Sequence, residues 1–147
     1  GKDRPGLVWL GGFKSDMLST KVGALDQWAA EHGRALLRFD YSGHGESEGD
    51  FAKGTIGQWL EESLQMIRHE TVGPQILIGS SMGGWIAMLV ARALAELNET
   101  HRIAGMVLIA PALDFTNIFC LARSFAVMVP CISCKACKIP MCHRAIR

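Results

Sequence analysis

Four short apolar runs occur in the first three quarters of the chain, and each is followed directly by glycine, aspartate or proline. A short apolar run that ends in such a turn residue is typical of a buried β-strand. The runs are Leu7–Leu10, Ala35–Phe39, Ile76–Ile78 and Gly105–Ala110. We therefore predict four strands at these positions.

The segment between the first two runs has its apolar residues at helical spacing. Lys21–His32 places Leu25, Trp28 and Ala29 on one predicted face. Thr20 precedes the segment and is a residue type that caps helices. We therefore predict a helix here, with Thr20 as its cap and its apolar face towards the core.

Two further segments are predicted to be helices. Ile56–His69 has apolar residues three and four positions apart, and Thr55 can cap it. Trp85–Leu97 is apolar on most sides, which is typical of a buried central helix. Because strands alternate with helices, the sequence predicts the α/β class, with a parallel sheet that has helices on both faces.

A Gly-x-Ser-x-Gly motif lies between the third predicted strand and the third predicted helix. It spans Gly79–Gly83, with Ser81 at its centre. In this context the motif is typical of a nucleophile elbow, a sharp turn that exposes the serine hydroxyl and aims the N-terminus of the next helix at it. Glycine is needed on both sides because a Cβ would collide with the neighbouring strand and helix. The alternative interpretation is a glycine-rich turn without chemistry.

Four segments resemble, in the same order along the chain, one branch of the α/β-hydrolase superfamily. They are Leu10–Met17, Arg38–Ser47, Gly79–Trp85 and Val107–Ala112. The branch includes bacterial hydrolases and mitochondrial abhydrolase-domain enzymes that act as palmitoyl-protein thioesterases and acyl-glucuronide esterases. The resemblance covers about residues 6–117. It implies the α/β-hydrolase fold and acyl transfer to water from an ester or thioester, carried by a small molecule or an acylated protein, without a cofactor.

The resemblance also implies roles for individual residues. Ser81 corresponds to the nucleophile, and the backbone N–H groups of Phe13 and Met82 correspond to the oxyanion hole. In this family an acid and then a histidine follow the serine in chain order. Asp114 and His143 satisfy that order and are the candidates for the two roles. The alternative for Asp114 is a turn or helix cap after the fourth strand.

The position of His44 along the chain argues against a role as the general base. His44 lies in the polar loop Asp40–Ser47 and precedes the serine, contrary to the family order, so we do not predict it as the base.

The chain is shorter than a complete domain of this family, which has more than 147 residues. We therefore expect the N-terminal half of a catalytic domain, and a catalytically inactive fragment that serves as a binding module is the alternative.

Residues 117–147 differ in composition from residues 1–116 and contain all five cysteines, so we predict a divergent tail after the hydrolase part. The spacing of four of these cysteines resembles a metal-ligand run. They are Cys131, Cys134, Cys137 and Cys142. No second ligand pair elsewhere in the sequence would close a zinc site. We therefore predict no metal, with metal binding by the tail as the alternative.

Charge and hydropathy narrow the classes of partner. The formal net charge is +1, which argues against nucleic-acid binding. The longest apolar stretches are interrupted by Arg92 and Arg123, so no transmembrane segment is predicted. The sequence of Gly79–Trp85 resembles that of bacterial hydrolases, which favours a cytoplasmic location for the protein. A mitochondrial location is the alternative. The sequence makes no prediction of oligomeric state.

Overall fold

The computed structural model describes residues 4–112, which form four β-strands, three α-helices and two 3₁₀-helices. The strands are β1 (Gly6–Leu10), β2 (Leu36–Arg38), β3 (Gln75–Ser80) and β4 (Ile103–Ile109). The α-helices are α1 (Thr20–Glu31), α2 (Ile56–Glu70) and α3 (Met82–Glu96). The 3₁₀-helices are Phe51–Lys53 and Thr100–Arg102.

The four strands form one parallel sheet in the order β2-β1-β3-β4. Val8 of β1 lies opposite Leu37 of β2 and Leu77 of β3, and Ile78 of β3 lies opposite Val107 of β4. Because all strands are parallel, their carboxyl ends lie at one edge of the sheet, where open α/β sheets form their ligand sites. The predicted α/β fold class is confirmed.

Helices cover both faces of the sheet. On one face, residues of β1 and β3 pack against α2 and α3 in a cluster that includes Val8, Leu10 and Ile86. On the other face, Trp9 belongs to a smaller cluster with Val22 of α1. Successive strand residues point to opposite faces, so β1 contributes to both clusters. Burial on both sides is the reason why the strands are apolar runs without alternation.

Two predictions for α1 are wrong. The cap position belongs to Ser19, whose side chain makes no capping hydrogen bond, and Thr20 is the first helical residue. Trp28 is 43% exposed and stacks on the histidine one turn later. The rest of the predicted face is confirmed, because Ala29 is buried and Leu25 packs against the same cluster. Val22 completes this face, since residues seven positions apart lie on one side of a helix.

The starts of α2 and α3 can be compared with the predicted starts of these helices. The predicted cap of α2 is confirmed, because Thr55 Oγ1 accepts a hydrogen bond from the Gln58 N–H at 3.1 Å. Helix α3 begins at Met82, directly after Ser81 and three residues before the predicted start.

Within residues 4–112, no helix combines the length and the apolar character that crossing a membrane requires.

Two glycines allow α3 to approach the sheet closely. A Cβ on Gly79, in β3, would lie 2.7 Å from the Cα of Gly84. A Cβ on Gly83 would lie 2.5 Å from the carbonyl oxygen of Gly11, just after β1. Both distances are far below van der Waals contact. Glycine at these positions therefore lets the first turn of α3 rest against the carboxyl ends of β1 and β3.

The Asp40 carboxylate joins two loops at this edge. Its Oδ1 accepts a hydrogen bond from the Met17 N–H at 2.7 Å, and its Oδ2 accepts one from the Glu46 N–H at 3.1 Å. Met17 lies in the loop between β1 and α1, and Glu46 lies in the loop after β2. Hydrogen bonds to an ionised carboxylate are stronger than those between neutral groups. The position of the β1–α1 loop therefore depends on Asp40.

We expect Gly83→Ala to lower the free energy of unfolding by about 3 kcal/mol, because its methyl group would overlap backbone atoms of Leu10 and Gly11. Gly23→Ala is the matched control. Gly23 lies inside α1 with no atom within 4 Å of an added Cβ, so this variant should be more stable by about 0.5 kcal/mol. Urea denaturation measures both values. Equal stabilities would contradict the packing interpretation.

We expect Asp40→Asn to lower the free energy of unfolding by about 1–3 kcal/mol. An asparagine keeps one acceptor oxygen, so one of the two N–H donors now bonded by Asp40 would face an NH₂ group. Asp26→Asn removes a surface ion pair with Arg38 and should cost less than about 1 kcal/mol. Urea denaturation compares the two variants, and a smaller loss at Asp40 would refute its role.

Candidate active site

Ser81 occupies a strained turn between β3 and α3. Its backbone φ and ψ are 54° and −120°, a conformation that costs a non-glycine residue on the order of 1–3 kcal/mol. Two hydrogen bonds hold it in place. The Ser81 N–H donates to the carbonyl oxygen of Ile109 at 3.0 Å, and the Ala112 N–H donates to the carbonyl oxygen of Ser81 at 3.0 Å. The strand, sharp turn and helix predicted around this serine are all present.

The Ser81 residue is exposed at the N-terminus of α3. The backbone N–H groups of Met82 and Gly83 donate no hydrogen bond to another described residue. Unpaired N–H groups and the aligned peptide dipoles give the start of a helix a partial positive charge. An oxygen atom that gains negative charge beside Ser81 would therefore be stabilised.

The loop after β1 lies next to Ser81. A Cβ on Gly12 would lie 3.4 Å from the Cβ of Ser81. The Ser15 N–H donates to the carbonyl oxygen of Gly12 at 3.1 Å and closes a turn. Lys14 has a φ of 55°, as the third residue of a type II turn requires a positive value. The Phe13 N–H forms no hydrogen bond within residues 4–112, so it remains available to a ligand.

Tyr41 anchors the start of this loop. Its hydroxyl donates a hydrogen bond to the carbonyl oxygen of Gly11 at 3.2 Å. Burial, and to a smaller extent the negative charge of Glu62, raise the pKa of the Tyr41 hydroxyl above its usual value. The hydroxyl therefore keeps its proton at neutral pH and remains a donor to the loop.

Two open cavities meet at Ser81, and both are lined by Phe13 and Ser81. The first cavity has a volume of about 380 Å³ and a wall of mixed polar and apolar character. Its other lining residues are Trp9, Gly12, Ser15, Ser19, Thr20, Lys21 and Ser80. The second has a volume of about 540 Å³ and a largely apolar wall. Its other lining residues are Gly54, Ile56, Trp59, Met82, Trp85 and Ala112.

His44 is buried in an aromatic cluster and lines neither cavity. It is 3% exposed, and its ring packs edge-on against Tyr41, Phe51 and Trp59 at centroid distances of 5.5, 5.1 and 4.9 Å. Its Nδ1 lies 3.2 Å from the carbonyl oxygen of Ser42. A carbonyl oxygen only accepts, so Nδ1 carries the proton. His44 therefore contributes to core packing behind the loop after β2.

The remaining predicted site residues lie outside the described residues. They are Asp114 and His143, the candidates for the acid and base, and Cys131, Cys134, Cys137 and Cys142, the candidates for metal ligands. Their roles stay predictions, as does the boundary between residues 116 and 117. In the part of the chain that the structure describes, no group of three or more His, Cys, Asp or Glu residues could hold a metal ion.

Two residues that position the site are not among those predicted from the sequence. Asp40 comes two residues after the end of β2, and a polar residue at the carboxyl end of a parallel strand is a signal that could have identified it. Tyr41 bonds to Gly11, which is 30 positions away in the sequence. No local pattern signals that contact.

The chain is similar to known hydrolases in sequence and in fold. Residues 14–139 match the hydrolase family described as serine aminopeptidase, S33. The mitochondrial palmitoyl-protein thioesterase ABHD10 of Homo sapiens is 37% identical over 110 residues, which cover 75% of this chain and 34% of that protein. The chain therefore spans about a third of the length of the curated relatives that it matches.

Two solved structures share the fold. One is a hydrolase from Agrobacterium vitis, 48% identical with a TM-score of 0.75, where the match covers 81% of this chain and 46% of that one. The other is α/β-hydrolase domain-containing protein 10 from mouse, 36% identical with a TM-score of 0.68, covering 75% and 42%. With the family match over most of the sequence, these likenesses establish that the chain belongs to the serine aminopeptidase S33 family of hydrolases and has the α/β-hydrolase fold.

Proposed function

We propose that the chain carries the nucleophile and oxyanion hole of a serine hydrolase that cleaves carboxylic esters or acyl thioesters. The observation that carries this proposal is the strained, exposed position of Ser81 at the start of α3, between two cavities. A relative that is 37% identical is named a palmitoyl-protein thioesterase, which supports an acyl thioester as one substrate class.

In this proposal the Ser81 Oγ attacks the carbonyl carbon of the substrate and gives up its proton to a base. The carbonyl oxygen becomes an oxyanion, which the N–H groups of Phe13 and Met82 stabilise. Loss of one such donor typically reduces kcat about 10²–10³-fold. The C–O or C–S bond to the leaving group then breaks, and water hydrolyses the acyl-serine. Acyl transfer of this kind needs no cofactor.

The acid and base of the reaction follow the nucleophile in the chain order of α/β-hydrolases. Asp114 and His143 remain our candidates for these roles. The substrate is a small molecule or an acylated protein, and its acyl group would enter the apolar cavity beside Ile56 and Trp59. Apolar walls favour an alkyl or aryl acyl group because its burial removes apolar surface from water.

The compartment also remains a proposal. The similar thioesterases are named as mitochondrial proteins, which supports the mitochondrial alternative. The cytoplasmic location favoured by the motif around Ser81 has no support from these names.

We expect a fluorophosphonate probe to label Ser81, because such probes react with serines that a base has activated. Ser81→Ala should reduce labelling to background, and Ser80→Ala, which changes the neighbouring serine, should retain it. Peptide mass mapping of the labelled protein identifies the modified residue. An unlabelled wild-type protein would contradict the proposal and favour the catalytically inactive binding module.

We expect Ile56→Trp to disfavour long acyl groups by filling the apolar cavity. The rate of labelling by a long-chain alkyl phosphonate, relative to a short-chain one, should fall about tenfold. That factor corresponds to roughly two methylene groups left unburied, at about 0.8 kcal/mol each. Ile56→Ala enlarges the same cavity and should preserve the ratio. If both variants gave the wild-type ratio, the acyl group would not occupy this cavity.

A further inference from the structure

Two consecutive glycines, Gly11 and Gly12, connect the end of β1 to Phe13, whose N–H group belongs to the proposed oxyanion hole. Glycine adopts more backbone conformations than any other residue, so this segment has little rotational preference of its own. Space accounts for Gly12, because a Cβ there would lie 3.3 Å from the carbonyl oxygen of Ser80. The peptide groups of this segment must therefore be oriented by contacts with other residues.

Two hydrogen bonds orient the peptide groups that precede the Phe13 side chain. The carbonyl oxygen of Gly12 accepts a hydrogen bond from the Ser15 N–H at 3.1 Å, within the turn. The carbonyl oxygen of Gly11 accepts one from the Tyr41 hydroxyl at 3.2 Å, across to the loop after β2. The Tyr41 hydroxyl thus holds the peptide group between the two glycines, which the hydrogen bond of the turn does not include.

The carbonyl oxygen of Gly11 lies close to the N-terminus of α3. A Cβ on Gly83 would lie 2.5 Å from this oxygen. The N–H groups of Met82 and Gly83 donate no hydrogen bond to another described residue. Free donors at the start of a helix attract a carbonyl oxygen, and one that turned towards them would occupy donors that an oxyanion needs. In the structure the oxygen bonds to Tyr41 instead.

Tyr41 is placed to act on catalysis only through this loop. It is buried and lines neither cavity, so it does not contact a substrate bound there. Its ring packs edge-on against Phe39 and His44 at centroid distances of 5.7 and 5.5 Å, and the Trp59 ring lies 6.1 Å away. A phenylalanine would keep these ring contacts. Tyr41→Phe therefore removes the hydrogen bond to the loop and leaves the packing in place.

We propose that Tyr41 is a positioning residue of the oxyanion hole. Its hydroxyl fixes the Gly11–Gly12 peptide group and so keeps the Phe13 N–H directed towards the substrate. This role rests on the proposed function, which assigns the Phe13 N–H to the oxyanion. The oxyanion forms only after the Ser81 Oγ attacks, so Tyr41 acts on the transition state and not on substrate binding. Loss of the hydroxyl should therefore lower kcat and leave KM nearly unchanged.

Steady-state hydrolysis of 4-nitrophenyl butyrate tests this role. Tyr41→Phe should lower kcat about tenfold, which is less than the complete loss of an oxyanion donor costs, and KM should change less than about twofold. Thr71→Val is the matched control, because Thr71 Oγ1 also donates to a backbone carbonyl, that of Ile67, at 2.6 Å. Thr71 lines neither cavity, so kcat should stay at the wild-type value. Equal kcat values for the two variants would overturn the proposal.

A trifluoromethyl ketone with a propyl chain separates positioning from a general loss of structure. The Ser81 Oγ adds to its carbonyl carbon and gives its proton to the base, the carbonyl oxygen becomes the oxyanion, and no group leaves. The affinity of Tyr41→Phe for this ketone should fall by the same factor as kcat, about tenfold. Thr71→Val should bind it as the wild type does. An unchanged affinity in Tyr41→Phe would overturn the positioning role.

A second substitution should rescue the first. A Cβ on Gly11 would have one neighbouring atom within 4 Å, the Trp9 Nε1 at 3.7 Å, so an alanine fits the present backbone. Alanine has fewer backbone conformations than glycine and restricts rotation of the peptide group. Gly11→Ala should therefore raise the kcat of Tyr41→Phe about threefold. No recovery would overturn rotation of this peptide group as the cause of the loss.

NMR relaxation distinguishes failure of this role from failure of the proposed function. In the ¹⁵N-labelled full chain, we expect Tyr41→Phe to broaden the amide signals of Gly12 and Phe13 by exchange on the μs–ms timescale. Thr71→Val should leave both signals sharp. Such broadening, with a wild-type protein that hydrolyses no ester, would refute the proposed function alone. Hydrolysis by the wild type, with unchanged kcat and sharp signals in Tyr41→Phe, would refute the positioning role alone.

Discussion

The strained backbone of Ser81 is the constraint on which the rest of the site depends. A serine with φ of 54° and ψ of −120° is stable only if its surroundings fix both neighbouring peptide groups. Hydrogen bonds to Ile109 and from Ala112 do this on the β4 side. On the β1 side, the lack of a side chain at Gly83 lets α3 reach the sheet. The backbone conformation of Ser81 therefore depends on β1, β3, β4 and α3 together.

The same edge of the sheet fixes the loop that faces Ser81. Asp40 and Tyr41 directly follow one another after β2, and they hold opposite ends of the loop after β1. Asp40 bonds to the Met17 N–H, whereas Tyr41 bonds to the carbonyl oxygen of Gly11. The Phe13 N–H lies between these two anchors. The Asp40 carboxylate and the Tyr41 hydroxyl thus restrict the loop that contains Phe13, whose N–H group belongs to the proposed oxyanion hole.

The sequence predicts most of the fold and the position of Ser81, because both depend on local patterns. Apolar runs, helical spacing and the glycines around one serine are visible without knowledge of long-range contacts. The contact of Asp40 with Met17 spans 23 positions, and that of Tyr41 with Gly11 spans 30. Neither could be predicted from local patterns. The exposure of Trp28 also could not be predicted, because helical spacing does not determine how far the buried face of α1 extends.

The contrast between the two cavities follows from the geometry of a parallel sheet. Trp9 points to the face covered by α1, and its neighbour Leu10 points to the face covered by α2 and α3. The cavity of mixed polarity lies at the α1 side and the largely apolar cavity at the side of α2 and α3. Ser81 stands at the edge where these faces meet. A substrate that occupies both cavities would therefore lie across the sheet edge, with Ser81 between its two parts.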